Sequence, residues 1–116
     1  MTIREFYVEI GEDFDNVKGR LIDDERIARF VKRFPEGNEL KNIEETVADG
    51  CLEEAFDELH KLKGIALNLG FSRLCEISST FCEVLRNGNP SDNDISELMK
   101  NVRGECEIIM QALGKL

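Results

Sequence analysis

Apolar residues recur along the chain at spacings of three and four, and nowhere is the period-two alternation of a half-buried strand sustained. Ile3, Phe6, Tyr7 and Ile10 mark a short first helix that Gly11 ends. Asp13 stands where it can cap the next turns, which carry Phe14, Val17 and Leu21. Asp23 or Asp24 opens a third helix through Ile27, Phe30, Val31 and Phe34. Pro35 stops it, because proline has no amide proton and its ring clashes with the preceding turn. Asn38 is an N-cap for a helix bearing Leu40, Ile43 and Val47, closed near Gly50.

The longest pattern runs from Leu52 to Leu69, with Leu52, Phe56, Leu59, Leu62, Ala66 and Leu69 as its stripe and Gly70 as its terminator. Ser72 is placed to cap a helix whose stripe is Leu74, Ile77, Phe81, Val84 and Leu85. Asn87-Gly88-Asn89-Pro90 is a loop by turn chemistry, and Ser91 with Asp94 has capping-box spacing. Ile95, Leu98, Val102, Cys106, Ile109 and Leu113 form the last seam. Short connections between long amphipathic helices favour antiparallel packing. The expectation is an all-α fold, a four-helix up-and-down bundle with one or two additional short N-terminal helices covering one end, in a single domain over 1–116. Its core should include Phe56, Leu59, Leu74, Ile77, Phe81, Leu98, Val102 and Ile109.

Composition narrows the class of function. Fifteen Lys and Arg against 24 Asp and Glu leave a net charge of −9, which repels a nucleic-acid duplex or an anionic membrane. No run approaches the roughly 18 apolar residues of a membrane span, and Met1 leads straight into polar sequence, so a cytoplasmic location is expected. Cys51, Cys75, Cys82 and Cys106 are dispersed without a Cys-x-x-Cys pair and read as small buried hydrophobes. No metal site or resident cofactor is expected, and a monomer is the default because one bundle uses the apolar content.

His60 is the only histidine. At 100° per residue it falls about 120° from the centre of its helix's apolar arc, so it faces water or the rim. Glu53, Asp57 and Gly64 share its side. Glycine inside a helix costs about 1 kcal/mol relative to alanine, which calls for a compensating reason. Bare backbone one turn after the imidazole would let another molecule approach. Lys63, three residues on, neighbours His60 on the helix surface. From 60 to 75 the chain carries Lys61, Lys63 and Arg73 and no acid, whereas 39 to 58 carries eight acids and only Lys41. That local basic collar suits an anionic adduct on the ring. The plain alternative is a solvated surface histidine beside a packing glycine.

His60-Lys61-Leu62-Lys63-Gly64, followed by Asn68-Leu69-Gly70, resembles the His-x-x-Lys-Gly signature of histidine-containing phosphotransfer domains. Leu21-Ile22 through Phe34, opened by Asp24-Glu25, is similar to the segment preceding the bundle in bacterial members. The resemblance implies a phosphorelay step in two-component signalling. His60 would take a phosphoryl group from a response-regulator receiver aspartate and return it to another, Lys63 would steady the phosphoryl charge, and Gly64 would clear space for the partner. It also implies a receiver domain or a hybrid sensor histidine kinase as partner, with Mg²⁺ brought by the receiver. The protein would be a phosphoryl carrier and not an independent enzyme, as the absence of a Gly-rich nucleotide loop also suggests.

Two departures from that family stand out. Lys61 follows the histidine where many members have Thr or Ser. Cys82 falls near the place of a glutamine that orients the imidazole in several members, with Arg86 one turn later as an added positive group. The main competing reading is a non-catalytic helical module that docks on a partner through the same face without being phosphorylated. A small metal or redox protein using His60 with Cys75 and Cys82 is the remaining one, without recognised ligand spacing.

Overall fold

Capping chemistry decides where the first helices begin. Thr2 Oγ1 accepts the Glu5 N–H at 3.1 Å while the Glu5 carboxylate accepts the Thr2 N–H at 3.0 Å, and this closed box starts α1 (Ile3–Glu9). Hydrogen bonds from the Thr2 backbone and side chain hold the Glu5 carboxyl below the usual carboxylate value. Asp13 accepts the Asp15 N–H at 3.0 Å to begin α2 (Phe14–Lys18), and Asp23 accepts the Arg26 N–H at 2.8 Å to begin α3 (Asp24–Lys32). The computed structural model describes residues 1–19 and 23–116. Leu21 and Ile22, expected on the second helix and in the segment before the bundle, therefore lie outside the described residues.

The third helix ends two residues earlier than Phe34, and Phe34–Glu36, with Pro35, forms one 3₁₀ turn. The bundle helices follow as α4 (Glu39–Ala48), α5 (Leu52–Leu69), α6 (Ser72–Arg86) and α7 (Asp92–Leu113). Gly70, at φ 72°, ends α5 in the left-handed region that only glycine enters without strain. Ser91 and Asp94 close a second capping box at the head of α7. Two expected caps are absent. The Asn38 side chain makes no capping bond, and Ser72 is the first residue of α6 and not its cap. Instead the Glu12 carboxylate accepts the Arg73 N–H at 3.0 Å, so an acid sixty-one residues away serves the α6 N-terminus.

Helix α4 packs on α5 and α7, and α6 packs on the same two, which closes a four-helix ring. Ile43, Leu59, Leu62, Ala66, Leu74, Phe81, Val102, Cys106 and Ile109 fill it. Burial in this apolar interior pushes the Cys106 thiol up to about 12, with Glu105, Glu44 and Glu107 adding to the rise. Three expected core residues are only half-buried. Ile77 and Leu98 border an open groove of about 510 Å³ shared with Thr80 and Asn101. Phe56 turns to the rim of α5 for a reason given below.

The N-terminal helices close one end of the ring. Phe6, Tyr7, Phe14, Phe34 and Phe71 form an aromatic cluster, with the Tyr7 and Phe14 centroids 5.4 Å apart and Phe34 edge-on to Phe71 at 5.4 Å. The Tyr7 hydroxyl donates to the Leu69 carbonyl at the end of α5. Lys115 pairs with Glu9 at 2.8 Å, tying the chain's end to α1. No described helix is long and apolar enough to cross a membrane.

Candidate functional site

The face of α5 opposite its core stripe carries the candidate chemistry. Ala55, Leu59, Leu62, Ala66 and Leu69 are buried, whereas His60 and Gly64 are exposed on the same side one turn apart. A methyl group built on Gly64 meets nothing within 4 Å. Gly64 therefore does not serve close helix packing within the chain, and the space it leaves is open to solvent and to whatever docks there. Grooves of about 460 Å³ (Phe30, Phe34, Ile65) and about 360 Å³ (Asn42, Thr46, Asp57) run along α5, and His60 lines neither. The imidazole stands on open surface and not in a reaction cleft. Such a group can be reached by a large partner, but it cannot exclude water by itself.

The ring rests on its own helix. The His60 and Phe56 rings are stacked with centroids 6.3 Å apart and planes 4° from parallel. The Arg86 guanidinium, from α6, lies over the Phe56 ring at 5.5 Å. This is why Phe56 is at the rim: it fills the seam between the imidazole and a cation on the neighbouring helix. The sequence reading gave Phe56 to the core. The signal that would have found its second role is the four-residue spacing to His60.

The basic collar read from proximity along the chain does not assemble as expected. Lys61, one residue and 100° further round, turns towards α4, where its Nζ pairs with Glu58 at 3.3 Å in the groove lined by Asn42, Glu45 and Glu54. Arg73 lies at the α6 N-terminus, where it donates to the Ile10 carbonyl and pairs with Glu105 at 3.5 Å. Two cations remain on the α5–α6 side. Lys63 is half-buried and makes no ion pair among the described residues, and Arg86 pairs only loosely with Glu83 at 3.5 Å.

Near both is Cys82, buried on α6. Desolvation pushes its thiol up, while Lys63 and Arg86 both pull it down, so both cations lie near it. Cys82 makes no hydrogen bond to the imidazole, and no side-chain hydrogen bond reaches the His60 ring among the described residues. Among the described residues no group of three or more His, Cys, Asp or Glu is arranged to hold a metal ion. An exposed imidazole, a clear stretch of backbone and two flanking cations can accept and hold one anionic group delivered from outside.

A family model described as Hpt domain matches residues 4–114. Neither the curated proteins nor the solved structures yield a match.

Proposed function

The chain belongs to the Hpt domain family, and from that premise we propose that His60 is the phospho-acceptor of a histidine phosphotransfer protein that relays phosphoryl groups between response-regulator receiver aspartates. Hpt domains are phosphocarrier modules of phosphorelay signalling, and this one is a helical bundle. The observation that carries the assignment to His60 is its exposure beside Gly64, where an added methyl group would meet nothing within 4 Å outside its own helix among the described residues.

The transfer balances without any further reagent. The lone pair of an imidazole nitrogen attacks the phosphorus of the receiver's aspartyl phosphate, the P–N bond forms, and the P–O bond to the carboxylate breaks. The aspartate leaves as a free carboxylate, and the ring's other N–H proton passes to water. The reverse sequence loads the next receiver. Charge on the transferring group spreads over its equatorial oxygens, so positioned cations lower the barrier. Lys63 and Arg86 supply that charge from this chain, and Mg²⁺ supplies it from the receiver. Lys61 stands apart from this role, since Glu58 holds it on the α4 side. A cytoplasmic location and a receiver or hybrid sensor kinase partner belong to the same reading, which the acidic composition supports by disfavouring nucleic acid and anionic lipid.

The test is transfer of radiolabel from a phosphorylated receiver, with magnesium present, to the wild-type protein and to His60→Gln. Label on the wild type and none on the variant is the expected result. Equal labelling of both, or no labelling from any of a panel of receivers encoded beside it, removes the assignment. Unchanged partner binding by His60→Gln with no label on either form would favour a docking module without phosphorylation.

A further inference from the structure

We propose that Phe56 is the positioning residue for the His60 imidazole, holding the ring by stacking where no hydrogen bond does so, and that Arg86 anchors Phe56 from α6. The inference rests on the reading of His60 as phospho-acceptor and specifies how that ring is aimed. An in-line displacement needs the attacking nitrogen within a narrow cone, and a misplacement of about 1 Å costs on the order of a hundredfold in rate. An exposed imidazole turns about two side-chain torsions unless something restricts it. Among the described residues no side-chain hydrogen bond restricts this one. The buried Cys82 thiol is a weak donor, and it stands on α6 where the family's orienting side chain is expected.

What the ring does have is the face of Phe56, parallel to within 4° at a centroid distance of 6.3 Å. Parallel offset rings at such distances attract by dispersion and quadrupole alignment. Stacking resists tilting of the imidazole but leaves both nitrogens free of a partner, which suits a nucleophile. Phe56 is itself half-buried and braced, since the Arg86 guanidinium sits over its ring at 5.5 Å. Arg86 therefore reaches the site in two ways. It fixes the support of the imidazole, and its charge, like that of Lys63, acts near Cys82.

Because His60 is the only histidine, its ring protons give one unambiguous set of NMR signals. The experiment compares wild type, Phe56→Leu, Phe56→Tyr and Arg86→Gln in the full chain, by ring-proton shifts, melting temperature and receiver-to-histidine transfer over a range of receiver concentrations. Leucine keeps the apolar bulk and removes the aromatic face, whereas tyrosine keeps the face. The expected result for Phe56→Leu is loss of the ring-current shift on the His60 protons and a fall of about tenfold in the transfer rate at saturating receiver, with the half-saturating concentration unchanged. Phe56→Tyr should retain both shift and rate, and Arg86→Gln should lose part of each. Phe56→Leu transferring at the wild-type rate, or showing unchanged ring shifts, overturns the proposal. So does Phe56→Tyr failing as badly as leucine at an unchanged melting temperature. A wild type that never takes label overturns the parent reading as well, whereas a wild type that takes label while Phe56→Leu keeps pace overturns the positioning role alone.

Discussion

Gly64 sets two requirements against each other at a single position. Inside a helix, glycine loses more backbone entropy than alanine and buries less surface, a cost of about 1 kcal/mol. Packing among the described residues does not explain that cost, because a methyl group at Gly64 would meet nothing within 4 Å. Gly64→Ala should therefore stabilise the free protein by about 1 kcal/mol in urea denaturation while slowing transfer from the receiver. Gly104 is the control: it also sits mid-helix, on α7 and away from the His60 face, with nothing within 4 Å of an added methyl. Gly104→Ala should give a similar gain in stability and leave transfer alone. Equal transfer by both variants would mean that no partner surface approaches Gly64.

The same scale shows how far a chain can be read before it is folded. His60 and Gly64 share an exposed side, with Lys63 half-buried at its edge, because helical periodicity alone puts them there. Lys61 and Arg73 joined them only by proximity in sequence, and one step of 100° plus a helix end carry each away to an acid. The Phe56–Arg86 contact was illegible for a different reason. It joins two helices, and its existence depends on their relative rotation, which no single helical pattern specifies.

At the scale of elements, the cap of a helix is legible where it is supplied locally. Asp13, Asp23 and Ser91 all cap as their spacing suggests, because each cap reaches only two or three residues. The head of α6 was misread, since its cap is Glu12, delivered by the α1–α2 turn. That turn, α6 and α7 meet around Arg73, whose guanidinium contacts the Ile10 carbonyl and Glu105. Burial raises the Glu105 carboxyl above its ordinary value, by more than Arg73 lowers it, and nearby Glu12 adds to the rise. An acid whose folded value is raised binds its proton more tightly folded than unfolded, so its favourable contribution is complete at acid pH. It is lost as pH climbs through that raised value. Stability of Glu105→Gln relative to wild type should therefore improve between about pH 4 and pH 7, read from chemical denaturation at several pH values. A difference that is flat, or that moves in the wild type's favour, would show that the Arg73 pair balances or outweighs desolvation there.

Over the whole molecule, two electrostatic effects of opposite sign compete. Eight ion pairs join described residues, among them Arg4–Asp15, Lys18–Asp24, Arg103–Glu44 and Lys115–Glu9. Most of their partners are well exposed, and exposed pairs contribute about 0–1 kcal/mol each, less as salt rises. Against them stands a net charge of −9 on a body of 43 × 24 × 21 Å, whose self-repulsion disfavours the compact state. At low ionic strength the Debye length is about 30 Å, so the repulsion acts across the molecule. At about 0.15 M salt it falls to about 8 Å, and charges on opposite faces no longer interact. Salt therefore removes the long-range repulsion almost entirely, while contact pairs at 3–4 Å are screened only in part. The melting temperature should rise by a few degrees between about 0.01 M and 0.15 M sodium chloride, as followed by circular dichroism. A fall over that range would mean that the surface pairs hold the bundle together more than the excess negative charge pushes it apart. The same excess is why two cations beside His60 matter. On the proposed reading, Lys63 and Arg86 offset part of that repulsion for a phosphoryl group delivered to His60.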